Sequence, residues 1–179
     1  MVRSAVRFRT AVTVIGLFVA QITHLRPPDV KYVPTPQSVV DAMLRLARVT
    51  SADVVYDLGS GDGRIPITAA RDFGARGVGI EIDPLPLREA FDNLKKAGVG
   101  NRVVFLNQDF FKSDISEATV VTLFLMPKIN EQLIPKFKRE LRPGTRIVSH
   151  KWDMGDAWPP EKTQDVDGLI IYLWTMPGR

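Results

Sequence analysis

The chain contains no cysteine, which excludes disulfides, thiolate metal sites and a cysteine nucleophile. Its only histidines are His24 and His150, too few for a histidine-rich zinc site. No Gly-Lys-Ser/Thr follows a glycine-rich loop, so the phosphate cradle of a P-loop nucleotidase is missing. Internal repeats and low-complexity tracts are absent as well. The apolar run over residues 11–20 is about half of the roughly 20 residues that a membrane-spanning helix needs.

Charge of one sign is scarce in the body of the chain. The formal net charge is +4, from 24 basic and 20 acidic residues. Four of the basic residues, Arg3, Arg7, Arg9 and Arg26, fall in residues 1–26, which hold no acid. The rest therefore has 20 bases against 20 acids. A neutral body lacks the electrostatic footprint of a nucleic-acid binder, and no nucleic-acid partner is expected.

Residues 1–26 read as a basic and apolar leader. A basic start followed by a short apolar run is the pattern of a secretory signal. Phe18 spoils the small-residue rule for a cleavage site after Ala20. Two readings stay open: a signal peptide or membrane anchor, and a plain surface helix or arm. The first implies membrane contact through the leader.

What is present is a one-domain chain of 179 residues, long enough for a sizeable core. Residues 27–36 carry Pro27, Pro28, Pro34 and Pro36 and read as an extended linker. Thr35 and Pro36 suit an N-cap and first helical residue, ahead of an apolar face formed by Val39, Val40, Met43, Leu44 and Ala47. From Asp53 onward strands and helices alternate. Strands are expected at 54–56, 77–82, 102–106, 119–125, 145–149 and 169–175. Helices are expected to Phe73, over 84–97 with Gly98 as cap, and over 128–141, where Pro135 should kink or interrupt the helix. A turn at Asp167-Gly168 pairs the last strand with the segment before it. Residues 37–179 thus predict an α/β domain: a Rossmann-like, doubly wound, mostly parallel sheet with a C-terminal antiparallel hairpin, in three α/β/α layers.

In such a sheet ligands bind beyond the carboxyl ends of the strands, at the topological switch point. The loop Asp57-Leu58-Gly59-Ser60-Gly61-Asp62-Gly63 follows the first strand. A dinucleotide fingerprint, G-x-G-x-x-G, needs its third glycine at position 64, which is Arg. Asp57 and Asp62 would repel a pyrophosphate and attract an ammonium group. Glu81 ends the second strand, where a carboxylate can accept hydrogen bonds from ribose hydroxyls. Gln108, Asp109 and Phe110 follow the third, with a polar group and a ring suited to adenine. One acid per strand end matches a zwitterionic nucleoside.

These motifs, over roughly residues 30–176, resemble those of the class I S-adenosylmethionine-dependent methyltransferases. More narrowly, Tyr32-Val33-Pro34-Thr35-Pro36, the Asp57–Gly63 loop with Arg64-Ile65, and Leu123-Phe124-Leu125-Met126-Pro127 are similar to a group of single-domain enzymes. That group includes protein-lysine methyltransferases acting on mitochondrial membrane proteins, and bacterial relatives. The resemblance implies S-adenosyl-L-methionine as cofactor and S-adenosyl-L-homocysteine as product. It assigns Asp57, Gly59 and Gly61 to the methionine end, Glu81 to the ribose, and Asp109 and Phe110 to adenine, with Ser60 as a further cofactor-binding residue. Tyr32, Pro34, Thr35, Met126 and Pro127 are candidates for the substrate channel. Many amine-methylating members carry Asn/Asp-Pro-Pro-Tyr/Phe after the fourth strand. Leu125-Met126-Pro127 stands here instead, which argues against DNA-adenine or glutamine methylation.

The expected activity is methyl transfer by in-line displacement, with a protein lysine as the first acceptor considered. A small-molecule acceptor and a noncatalytic cofactor-binding module are the alternatives. No metal and no catalytic base are assigned. The cofactor is made and recycled in the cytosol, so the expected location is a cytoplasmic catalytic domain, tethered to the membrane by residues 3–22. A cleaved, exported form is the competing possibility.

Overall fold

The computed structural model describes residues 25–178. Most of the leader, residues 1–24, lies outside the described residues. Twelve residues, 25–36, enter without regular helix or strand. The elements that follow are α1 (Gln37–Leu46), β1 (Val54–Leu58), α2 (Arg64–Phe73), β2 (Arg76–Glu81), α3 (Pro84–Ala97), β3 (Val103–Asn107), β4 (Val120–Leu123), α4 (Pro127–Glu140), β5 (Arg146–His150), β6 (Lys162–Val166) and β7 (Leu169–Thr175). A short 3-10 turn, Gly155–Ala157, lies between β5 and β6.

The seven strands form one sheet in the order β3-β2-β1-β4-β5-β7-β6. All neighbours run parallel except β5 with β7 and β7 with β6. The chain first steps outward from β1 to β3, then returns to lay β4 on the other side of β1. The switch point therefore falls between β1 and β4, next to the glycine loop. The expected Rossmann-like sheet with a C-terminal antiparallel hairpin is what forms.

The central strands are covered on both faces, and their side chains sort by the period of two. Val54, Tyr56 and Leu58 join one core with Val121, Leu123, Ile147 and Trp174. Leu133 and Phe137 of α4 close that core. Val55 points the other way, into a core with Val39, Met43 and Leu44 of α1 and Ile65 of α2. A third cluster joins α2 and α3 to β3 through Ile67, Leu87, Ala90 and Phe105. The three layers are unequal: α1, α2 and α3 cover one face, while α4 and irregular connections cover the other.

Two local expectations are corrected. Pro135 does not interrupt α4, which runs unbroken through it. Its ring sits on the exposed side of the helix, where water can take the hydrogen bond that the missing N–H leaves unmade. Thr35 is not the N-cap of α1. Pro36 holds that place without a side-chain bond, and the Thr35 hydroxyl turns to His150 instead.

Candidate active site

The sheet brings Asp57 and Glu81 to adjacent strand ends, β1 paired in parallel with β2. Asp57 is buried, and its Oδ1 accepts a hydrogen bond from Thr122 Oγ1 at 2.7 Å. Burial pushes the Asp57 carboxyl up to about 8, and the like charges of Glu81 and Asp62 add to the effect. An anion held at such cost is stabilised by any cation brought against it. Glu81 is buried too. Its Oε2 accepts the Gly61 N–H at 2.8 Å and its Oε1 accepts the Asp83 N–H at 2.8 Å. Each oxygen keeps a lone pair for another donor.

The loop between them turns through left-handed backbone at Gly61, φ 51°, and Gly63, φ 76°. Both also need to lack a side chain. A Cβ on Gly61 would stand 2.1 Å from Tyr32 Cε2, and one on Gly63 would stand 2.3 Å from Phe105 Cζ. Ser60 Oγ is buried and has no hydrogen-bond partner among the described residues.

Residues 28–35 form a strap across these strand ends and close a cavity. Tyr32, Pro34 and Thr35 line it from the strap, and Asp57, Gly59, Ser60 and Glu81 from the strand ends. Ile82 and Phe110 complete it toward the outer strands, and Phe124 and Leu125 toward β4. Burial pushes the Tyr32 hydroxyl up to about 12, with the Asp62 charge adding to it.

Two arginines fix this strap, Arg64 from the start of α2 and Arg26 from just ahead of it. Arg64 grips Asp62 with paired bonds, Nη2 to Oδ2 at 2.7 Å and Nε to Oδ1 at 3.0 Å. Its Nη1 also donates to the Thr35 carbonyl at 2.8 Å. Burial alone would raise the Asp62 carboxyl, but the Arg64 bonds and charge outweigh it and hold the group below its ordinary value. Asp62 is therefore not a free partner for a ligand ammonium, as its place in the loop had suggested. Arg26 does the same for Asp109, donating from Nε to Oδ2 at 2.8 Å and from Nη2 to Oδ1 at 3.2 Å. Asp109 also accepts the Phe111 N–H at 3.0 Å, and with Arg26 lies in a neighbouring cavity, whereas Phe110 faces the one beneath the strap.

Met126 and Pro127 are not among the cavity-lining residues. Met126 is the N-cap of α4 and half-exposed, its carbonyl accepting the N–H of Ile129 and Asn130. Phe124 and Leu125, just before it in the chain, take the place expected of them. Sequence spacing could have found the Asp62-Arg64 pair, two residues apart. Nothing local signals that Arg26 meets Asp109 or that Thr35 meets His150, since these contacts span 83 and 115 residues. Among the described residues no cluster of His, Asp and Glu could hold a metal ion, and no helix is long and apolar enough to cross a membrane.

Comparison with known proteins agrees with this geometry. The ANTKMT methyltransferase domain matches residues 57–162. A protein-lysine N-methyltransferase of Saccharolobus islandicus is 49% identical over 153 residues, 83% of this chain and 95% of that one. The adenine nucleotide translocase lysine N-methyltransferase of Mus musculus is 33% identical over 133 residues, 74% of this chain, but the match spans only 57% of its length. Among solved structures, an RNA methyltransferase from Salinibacter ruber in complex with S-adenosyl-L-homocysteine is 56% identical, with a TM-score of 0.80 over 82% of this chain and 95% of that one. The residues present fit that cofactor. The Asp57 carboxyl, which a cation would ionise, would suit the ammonium of S-adenosyl-L-methionine. The Ser60 hydroxyl, without a partner among the described residues, would suit its carboxylate, and Glu81, with its spare lone pairs, the ribose diol. With fold, cavity and matches in agreement, the chain belongs to the ANTKMT methyltransferase family and is an S-adenosyl-L-methionine-dependent methyltransferase.

Proposed function

We propose that the acceptor is the ε-amine of lysine in a protein substrate. One observation carries the reading. The cavity is lined both by carboxylates, Asp57 and Glu81, and by an apolar wall from Phe124 and Leu125, the residues that follow β4. A lysine side chain is a long apolar stem with a cationic tip, and such a wall receives the stem. The lysine methyltransferases of Saccharolobus islandicus and Mus musculus support the choice.

The bound cofactor supplies a methyl group on an already activated sulfonium, so the protein needs only to align and desolvate the acceptor. Asp57 offers its charge to a ligand cation, and Glu81 ties the glycine loop to the end of β2 while presenting its remaining lone pairs. Tyr32 and the strap cover the cavity. Against Phe124 and Leu125 the charged form of a lysine amine is disfavoured, so burial itself helps remove the proton. No general base is required by this scheme.

RNA is the competing acceptor, suggested by the name of the Salinibacter ruber relative. The charge balance weighs against it. Residues 27–179 hold 20 bases against 20 acids, and phosphate backbones are bound through surplus cations. The test uses the full chain, tritiated S-adenosylmethionine and an extract of its own host cell, followed by separate hydrolysis of protein and RNA. Label in methyllysine is expected. Label confined to nucleosides or to small organics would overturn the proposal. Glu81→Ala should lose S-adenosylhomocysteine binding by roughly 10- to 100-fold, the scale of a lost charge-assisted bond.

For the leader we propose a membrane tether over residues 3–22 that leaves the catalytic domain in the cytoplasm, beside its cofactor supply. The basic and apolar pattern supports it. Fractionation with N-terminal sequencing of the native protein decides: an intact start in the membrane fraction is expected, and a cleaved start outside the cell would refute it.

A further inference from the structure

One buried polar pair beside the cavity, Thr35 lining it and His150 behind, takes no part in the cofactor assignments above. His150, the last residue of β5, is 2% exposed. Its Nδ1 lies 3.2 Å from Thr35 Oγ1, and its Nε2 has no hydrogen-bond partner among the described residues. Phe124 lies against the imidazole, ring centroids 4.0 Å apart. Thr35 and Phe124 both line the cavity.

The backbone after His150 is strained. Lys151 has φ 70°, and the Trp152 N–H donates to the His150 carbonyl at 2.8 Å. That i-to-i+2 bond with positive φ is the rarer, costly form of γ-turn. Such strain persists only where the surroundings over-determine it. Here fully buried Asn130 does so. Its Nδ2 donates to Ser149 Oγ at 3.2 Å, to the Trp152 carbonyl at 3.0 Å and to the Asp153 carbonyl at 3.2 Å. His150 is thereby fixed from its backbone, and Thr35 from both ends, its carbonyl by Arg64 and its hydroxyl by His150.

We infer that the Thr35 hydroxyl binds the acceptor amine and that His150 is the positioning residue that holds this hydroxyl in place. The assignment rests on the lysine reading above and names the group that meets the lysine tip. Whichever tautomer the imidazole takes, Thr35 Oγ1 keeps a lone pair for an amine N–H. If the hydroxyl donates to Nδ1, both its lone pairs are free; if Nδ1–H donates to the hydroxyl, one is. A neutral pair adds no cation to repel an ammonium or sulfonium. Burial pushes the imidazole down to about 4, with the Lys151 charge adding to the effect, so it stays neutral at working pH. Accepting one N–H from the amine orients its nitrogen lone pair without a proton leaving the pair.

The experiment uses the full chain with Thr35→Val, Thr35→Ser, His150→Phe and His150→Asn. Calorimetry with S-adenosylhomocysteine reads the cofactor site. Methyllysine formation in host-cell extract, at varied S-adenosylmethionine, reads kcat and the cofactor KM. Thr35→Val and His150→Phe should lower kcat by about tenfold or more, with KM and S-adenosylhomocysteine affinity within about twofold, the signature of an interaction that serves the acceptor. Thr35→Ser keeps the hydroxyl and His150→Asn keeps a polar atom near Nδ1, so both should stay within about threefold of wild type. Wild-type rates in Thr35→Val would overturn the inference. So would equal losses in His150→Phe and His150→Asn, or a loss of S-adenosylhomocysteine affinity in step with rate. Absence of methyllysine from the wild-type reaction would refute the lysine reading itself, and this assignment with it.

Discussion

The Tyr32 ring lies where a side chain on Gly61 would have to be: a Cβ there would stand 2.1 Å from Tyr32 Cε2. The glycine of the loop and the aromatic of the strap are complementary surfaces, one bare and one flat. Gly61 also sits at φ 51°, which costs an L-residue about 1–2 kcal/mol. Gly61→Ala should therefore destabilise through both terms. In a Tyr32→Ala background only the backbone term remains. A urea double-mutant cycle should give a coupling of about 1–3 kcal/mol, the scale of overpacking. Additive effects would show that the strap does not rest on the loop.

Asp57 links cofactor binding to proton release. Its folded carboxyl is pushed up to about 8 from an ordinary 3.8 by burial, aided by Glu81 and Asp62. Between those values the folded, ligand-free protein holds more protons than the unfolded chain, so this group's contribution to stability falls as pH rises. A bound cation favours the ionised form. Calorimetry at pH 7, in buffers of different ionisation enthalpy, should show up to about one proton released on binding. Asp57→Asn should release none, bind roughly 10- to 100-fold more weakly, and flatten the fall in stability toward pH 8. Unchanged proton release in the variant would refute the assignment.

Arg64 spans loop and strap. Its removal in Arg64→Met leaves the Asp62 carboxylate without its cation and the Thr35 carbonyl without its donor. The pair is partly exposed, so the global cost should be modest, about 1 kcal/mol or less. The local effect should be larger. Exposed Lys31 in the strap should be cut faster by trypsin, with S-adenosylhomocysteine slowing the cut in wild type more than in the variant. Equal cleavage of both proteins would remove Arg64 from the role.

His150 gives the opposite pH slope to Asp57. Burial, with Lys151, pushes its imidazole down to about 4 from an ordinary 6.5. Across that window the unfolded chain binds more protons, so stability rises with pH and is lost as pH falls from 6.5 toward 4. Urea midpoints at pH 4.5 and 7 should differ less in His150→Asn than in wild type. An unchanged difference would show that another group sets the acid limb.

Much of the architecture was legible from local pattern. The strand and helix register followed from apolar periodicity, and Pro84 and Gly98 bound α3 as expected, with Asp83 capping it through the Leu85 N–H at 2.9 Å. The cofactor type was legible too, because glycine spacing and strand-end acids are local features of β1, β2 and the loop after β3. Pro135 misled as to an interruption, since on the exposed side of α4 water can take the bond that its missing N–H leaves unmade. Met126 misled as well, because the turn into α4 rotates it outward and leaves Phe124 and Leu125 at the cavity.

By itself, then, the sequence determined a glycine loop after a strand, acids at the strand ends, and with them a sulfonium cofactor. These are short-range facts, set by backbone sterics and by charge within a few residues. Only the tertiary structure decided which of those acids are free. Folding hands Asp62 to Arg64 and Asp109 to Arg26, leaves Asp57 buried without a cation among the described residues, and sets Thr35 against His150. A carboxylate's partner is whichever donor the packing brings within hydrogen-bond reach, and that distance is not encoded in spacing along the chain.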